Sequence, residues 1–182
     1  MDRAVIDAGW LRLRPFTSTD IPWVYEVSRD PALQHFVQLP SPYHLKDAAF
    51  FVDEVAVGGW DRGERREFVV EEASSETPLG RVGLSGPSNG SAEIGYWVDP
   101  RARGRGVATD AVRTVCRWAF TTLDLDLIEW RCEVGNTASR RVAEKAGFLI
   151  EATLRKRVIH RGTRVDAWFG SLLKTEAARL NT

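Results

Sequence analysis

The chain has 182 residues, 43% of them hydrophobic and 27% charged, which suits one good core and a single domain over residues 1–182. Its 25 lysines and arginines balance 25 aspartates and glutamates, so no net field draws it to nucleic acid or to a membrane surface. No run approaches the roughly 18 apolar residues of a membrane span, residues 1–6 lack the apolar core of a signal peptide, and Cys116 and Cys132, without metal spacing, read as buried reduced thiols of a cytoplasmic protein.

Residues 10–16 alternate apolar and charged side chains and predict a first strand with one wet face. Residues 17–20 offer helix caps, and residues 21–28 make a short helix with Pro22 in its first turn. The stretch 31–42, interrupted by Pro31, Pro40 and Pro42, reads as irregular. Leu45, Ala49, Val52 and Ala56 share one side of a second helix over residues 45–57, which Gly58-Gly59 is expected to end. Strands follow at 66–72, centred on Phe68-Val69-Val70, and at 79–85. The polar turn 73–78 and Pro87-Ser88-Asn89-Gly90 tie them and the next strand into an antiparallel meander.

Residues 94–98 are aromatic and β-branched, which suits a strand, and Asp99-Pro100 stops it because proline brings no amide to a ladder. Gly104 and Gly106 permit backbone angles that a Cβ forbids. Val107, Ala111, Val115 and Ala119 then recur every four residues, with Val112, Cys116 and Phe120 beside them, so a helix begins and runs to about residue 123. A helix start offers unpaired amides and a partial positive charge, and glycines let a ligand approach closely, which makes an anion site, most simply for a pyrophosphate. An ordinary strand-to-helix turn is the other reading, since Gly104-Arg105-Gly106 lacks the third glycine of a dinucleotide fingerprint and the lysine of a P-loop. The strand at 127–132 is reached through a helix and should run parallel to the one at 94–98. Asn136 or Thr137 caps a helix over 138–146 that Gly147 closes, residues 148–158 and 163–173 form a last hairpin, and the polar tail 174–182 is expected to fray. The fold class is α/β, with a mixed, mostly antiparallel sheet of about seven strands and helices on both faces.

The pattern Arg-x-x-Gly-x-Gly at residues 101–106, followed by Ala108 and a long amphipathic helix, resembles the acetyl-CoA-binding loop of the GNAT superfamily of N-acetyltransferases. Asn136-Thr137-Ala138-Ser139, running on to Gly147-Phe148, resembles the Asn-x-x-Ser…Gly-Phe segment of the same superfamily. The opening Glu93-Ile94-Gly95-Tyr96-Trp97, with a serine three residues after Asn136, is most similar to the ribosomal-protein N-terminal acetyltransferase branch, the RimJ/RimL type. The motifs cover residues 93 to about 155, and a similar order of elements continues over nearly the whole chain.

The resemblance implies two parallel strands that splay apart, with coenzyme A in the gap. Backbone amides of Arg103, Gly104, Arg105, Gly106, Val107 and Ala108 would meet the pyrophosphate, the Arg103 and Arg105 side chains would add charge, and the backbone of Trp97 and Val98 would run along the pantetheine arm. The implied reaction moves an acetyl group from acetyl-CoA to a primary amine by direct attack, with both substrates bound and no acyl-enzyme. Glu93 is then the candidate general base through water, Ser139 the general acid and a coenzyme contact, the Val98 amide the carbonyl partner, and Asn136 an orienting group. Their plainer alternatives are a solvated strand-end glutamate, a first-turn hydroxyl, and a simple N-cap. Many superfamily members carry a tyrosine a few residues further along this helix, where Val142, Ala143 and Glu144 stand here. Trp23, Tyr25, Phe36, Tyr43 and Trp168 are candidates to frame an amine tunnel, or core residues. His35, His44 and His160 have no ligand spacing, so no metal is expected.

An α-amine, with a pKa near 8, is about a tenth neutral at pH 7, whereas lysine near 10.4 is neutral in fewer than about one molecule in a thousand. A site with one carboxylate base therefore fits a protein or peptide α-amine better. A small-molecule amine, a longer acyl group such as succinyl, an acyl-CoA sensor without turnover, and a homodimer stay open. A binding module using the Arg-Gly segment on RNA is a separate reading, weakened by its single short copy and the zero net charge.

Overall fold

In the computed structural model, which describes residues 3–181, a short strand Ile6–Ala8 (β1) turns through Gly9 into Leu11–Pro15 (β2). Met1, Asp2 and Thr182, at the two ends discussed above, lie outside the described residues. Three helices follow, Ile21–Val27 (α1), Pro31–Phe36 (α2) and Leu45–Phe50 (α3), the last continuing as a π-helical stretch Phe51–Gly58 into Gly59–Asp61 (α4). The meander is Arg65–Glu72 (β3), Pro78–Ser88 (β4) and Ser91–Val98 (β5). Then come Val107–Thr122 (α5), Leu127–Glu133 (β6), Thr137–Lys145 (α6), and the hairpin Leu149–His160 (β7) and Thr163–Leu173 (β8).

All eight strands join one sheet in the order β1-β2-β3-β4-β5-β6-β8-β7. The extra strand over the expected seven is β1, too short at three residues to show any alternation. Among the described residues the β5–β6 pair alone is parallel, as its helical crossover requires. Phe68, Val70, Val82, Leu84, Ala92 and Ile94 face α5, whose Val107, Ala111, Val115, Cys116 and Ala119 are all buried against them. On the other face Val69 meets Phe16, Val24, Tyr43, Ala48, Val52 and Ala56 from α1, α3 and their flanks. Each large apolar side chain buried this way contributes about 1.5–3 kcal/mol.

Three local expectations change. Residues 31–36 are helical and not irregular: Asp30 accepts from the Leu33 amide at 2.9 Å and Pro31 sits in the first turn, so the proline starts a helix. Gly58-Gly59 does not end the second helix, since both residues keep helical angles; a Cβ on Gly59 would lie 3.2 Å from Arg65 Cβ, so its smallness serves packing, and the chain turns at Gly63 with φ +78°. The tail does not fray: Lys174–Asn181 is a 3-10 helix whose Leu180 is buried against α5, with the Arg117 guanidinium donating to the Leu180 carbonyl at 3.0 Å.

The face under α1 and α3 also holds buried charge. Arg81 donates to the fully buried Glu67 carboxylate through Nε at 2.6 Å and Nη2 at 2.5 Å, a two-pronged pair that fits the guanidinium fork. The register Glu67↔Gly83↔Gly95 puts two glycines beneath it. A Cβ built on Gly83 would lie 2.0 Å from Glu67 Oε2, and one on Gly95 would lie 3.1 Å from Arg81 Nη1. Gly83→Ala should therefore break the pair and lower stability by about 3 kcal/mol, read as a lower urea midpoint at unchanged slope; an unmoved midpoint would mean the carboxylate has other room.

Candidate functional site

The parallel β5–β6 pairing has three rungs, Ser91↔Leu127, Ala92↔Ile128 and Glu93↔Glu129, and then stops. Beyond it β5 stays on β4 through Val98↔Gly80, while β6 stays on β8 through Glu133↔Ala167. The strands fork, and a cleft opens on each side of the fork. One, of about 450 Å³, is bounded by the glycine loop, the first turns of α5 and α6, and α2. The other, of about 490 Å³, lies between the end of α2 and the β7–β8 hairpin. Phe36, Val37, Tyr96, Trp97, Asn136 and Ser139 line both.

In the first cleft stand Trp97, Val98, Arg103, Gly104, Gly106, Val107, Ala108, Asn136 and Ser139. Gly104 and Gly106 have φ +78° and +88°, left-handed angles that favour glycine, and a Cβ on Gly104 would meet nothing within 4 Å. Backbone angle, not crowding, asks for glycine there, and it leaves the loop surface bare in front of the N-terminus of a 16-residue helix. The arginines of the loop anchor it. Arg101 grips Asp99 at 2.6 and 2.9 Å, and this, with an indole hydrogen bond from Trp23 at 3.0 Å, holds the Asp99 carboxyl at a pKa of about 2. Arg103 reaches Asp30 at 2.5 Å, just before α2. Arg105 turns away from the cleft to Glu72 at 2.6 Å and lies over the Trp10 ring at 5.6 Å.

At the junction, Asn136 caps α6 by accepting from the Ser139 amide at 3.1 Å. Ser139 Oγ accepts from the Trp130 indole at 3.2 Å and donates to the Tyr96 hydroxyl at 3.1 Å, while that hydroxyl donates to the Ser139 carbonyl at 2.8 Å. Burial raises the Tyr96 pKa above its ordinary value, so the phenol stays protonated. A tyrosine does meet the α6 serine, then, but it comes from β5. No local pattern marks Tyr96 and Trp130 as site residues, because their partner lies 43 and 9 positions away on another element. Cys132 lies alongside, its thiol pushed up to about 12 by burial, and Cys116 is buried within the core; both are free.

Glu93, on the last parallel rung, lines the second cleft with its carboxylate 3.0 Å from Arg131 Nε. Arg81, backed by Glu67, lines it too, and so do Glu133 and His160, whose Oε2 and Nδ1 are 3.5 Å apart. Of the five aromatics singled out earlier, Phe36 lines both clefts. Tyr43 is core, Trp23 packs on Trp97 at 5.2 Å, Tyr25 lies beneath Arg29, and Trp168 lies beneath Arg140. Among the described residues no group of three His, Cys, Asp or Glu side chains is placed to hold a metal ion, and no helix is long and apolar enough to cross a membrane.

Residues 11–149 match the family model described as an acetyltransferase (GNAT) domain. The chain is 40% identical over 88 residues to YdaF of Bacillus subtilis (strain 168), a match covering 48% of each chain. It is 33% identical over 70 residues to the ribosomal-protein-serine acetyltransferase of Escherichia coli (strain K12), covering 38% of this chain and 39% of that one. The matched stretches thus span half or less of those two relatives. Mycobacterium smegmatis RimJ, solved in complex with CoA-disulfide, superposes with a TM-score of 0.84 at 23% identity over 98% of this chain and 91% of that one, which shows a shared fold. With the family model spanning the forked strands, the glycine loop and the α6 serine alike, this chain belongs to the GNAT acetyltransferase family.

Proposed function

We propose that this protein moves the acetyl group of acetyl-CoA to a primary amine, most simply the α-amine of a protein or peptide, by direct attack while both substrates are bound. The observation that carries this reading is the convergence of two clefts on Tyr96, Trp97, Asn136 and Ser139 at the fork of β5 and β6. A donor entering from one side and an amine from the other meet there with no need for a covalent carrier. On the donor side the pyrophosphate sits on the bare amides of residues 103–108, with Arg103 near enough to exchange Asp30 for phosphate. Past Glu93, β5 has a strand partner on its β4 side and faces the gap on the other, which frees backbone groups near Trp97 and Val98 for the amide-bearing pantetheine arm and for the thioester oxygen. Asn136, its carbonyl engaged as a cap, has an amide group left for either substrate.

On the acceptor side Glu93 takes the amine proton through a water, and Ser139, its Oγ held by the Trp130 indole, turns its proton from the Tyr96 hydroxyl to the departing thiolate and regains one from solvent. A thiol of pKa near 8.5 needs only a modest donor, which suits a hydroxyl pair. The relatives named for ribosomal acetylation, at 40% and 33% identity, favour a protein acceptor, as does the larger neutral fraction of an α-amine at pH 7.

Thiol release measured with several acyl-CoAs against peptides and small amines tests the reading, and peptides with free α-amines are expected to be the better acceptors. In the same assay Glu93→Gln should be slowest at low and neutral pH and recover toward high pH as the amine deprotonates unaided; an unchanged pH–rate profile would remove Glu93 from the base role. Gly104→Val and Gly106→Val, each forced toward an angle costing a β-branched residue about 1–2 kcal/mol, should weaken acetyl-CoA binding at least about tenfold in calorimetry while leaving the circular dichroism of the fold unchanged. Ser139→Ala should lower kcat by roughly ten- to a thousandfold with little change in coenzyme affinity. Full kcat with a raised coenzyme Kd would leave the serine as a binding contact only.

A further inference from the structure

The outer half of the β7–β8 hairpin breaks the chain's balance of charge. Residues 154–166 hold Arg155, Lys156, Arg157, Arg161 and Arg164 against one carboxylate, Asp166, in a chain whose 25 cations and 25 acids cancel. Among the described residues none of these five cations pairs with a carboxylate; Arg161 and Arg164 donate to the backbone carbonyls of Gln34 and Lys156. The arginines of the glycine loop, by contrast, each have a carboxylate of their own.

The first three cations are set out on a bulge. Leu154 pairs with Ala167 and Val158 with Val165, so residues 155–157 stand opposite Asp166 alone. Lys156 takes φ +54°, a left-handed angle that costs a non-glycine residue about 1 kcal/mol or more. The bulge is held from both sides of that residue: Asp166 accepts from its amide at 3.0 Å, and Arg164 donates to its carbonyl at 3.2 Å. Since β7 is the sheet edge, a charged bulge also keeps foreign strands from pairing. Edge protection does not explain its position, however. Arg157 lines the acceptor-side cleft with Glu93 and Ser139, and it also lines, with Arg155 and Lys156, an adjoining hollow on the bulge. The hairpin tip is also tied across that cleft, by Gln38 donating to the Ile159 carbonyl and Arg161 to that of Gln34. Glu93 and the bulge residue Arg157 thus line one cleft.

We infer that this bulged basic hairpin docks an acidic stretch of a polypeptide acceptor, a few residues downstream of its acetylated amine. The inference rests on the α-amine reading above. Leu154 and Ile159, 37% and 51% exposed beside the cations, offer a protein segment apolar contacts that a phosphate backbone would not use, which favours a polypeptide over RNA.

Two fluorescent peptides test it, sharing a Ser-Ala-Ala start followed by a run of glutamates in one and of glutamines in the other. The wild-type protein should bind the glutamate peptide roughly tenfold more tightly in anisotropy at low salt, lose most of that preference by about 0.2 M salt, and acetylate the peptide with a correspondingly lower KM. Arg155→Gln with Lys156→Gln changes charge while keeping an unbranched side chain at φ +54°, and should erase the preference with the glutamine peptide as internal reference. Equal binding of the two peptides by the wild type, or a preference that survives in the double variant or at high salt, overturns the inference. So does a labelled RNA of similar length that binds more tightly than the glutamate peptide and is lost in the variant, and so does a variant that self-associates with its peptide preference intact. A charge preference in binding without turnover of either peptide would support the docking surface while sinking the α-amine reading.

Discussion

The early end of one strand pairing governs this molecule. Parallel contact between β5 and β6 lasts through Glu93↔Glu129, after which each strand follows its other neighbour. The geometry on both arms is tight. A Cβ on Gly80, which faces Val98 on one arm, would lie 2.6 Å from the Trp97 carbonyl, and one on Gly170, which faces Trp130 on the other, would lie 2.6 Å from the Leu149 carbonyl. Gly80 lets β4 lie close on the β5 arm, where a side chain would push the two strands apart, and Gly170 lets β7 lie close on β8, the strand that carries the β6 arm. The gap left between the arms is where a sheet would otherwise satisfy its backbone, so it presents polar groups to whatever enters.

Charge is arranged to keep that gap in shape before any ligand arrives. Arg101, Arg103 and Arg105 tie the glycine loop to Asp99, Asp30 and Glu72, three points on different parts of the chain. Beneath the second cleft, Glu67 and Arg81 occupy the space that Gly83 and Gly95 leave. A buried pair of this kind adds little net stability over an apolar filling, but removing one partner strands the other, so its geometry is enforced. A loop and floor fixed in advance lower the ordering cost of any binding there. Among the described residues the five hairpin cations have no such carboxylate partners.

Much of this was legible in the amino-acid sequence because it is decided within a few residues. Left-handed glycines after a strand, an apolar repeat of α5, and an asparagine three residues before the serine whose amide it caps are local matters of dihedral angle and short-range hydrogen bonding. The parallel sense of β6 followed from its helical connection. Asp30-Pro31 carried a helix start that the nearby prolines disguised, and with it went the reason Phe36 and Val37 reach both clefts.

What the tertiary structure alone decided is which distant groups meet. Tyr96 joins Ser139 across 43 residues, Arg103 finds Asp30 across 73, and Glu93 finds Arg131 across 38. The aromatics that composition offered for an acceptor wall went mostly to packing, since a ring buries well anywhere and its type does not say where. The polar tail folded back because Leu180 fits against α5, a complementarity that no local pattern announces. Local sequence set the elements and the chemistry each carries; how far apart two strands splay, and what comes together in the gap, depends on side chains packing from every other part of the chain.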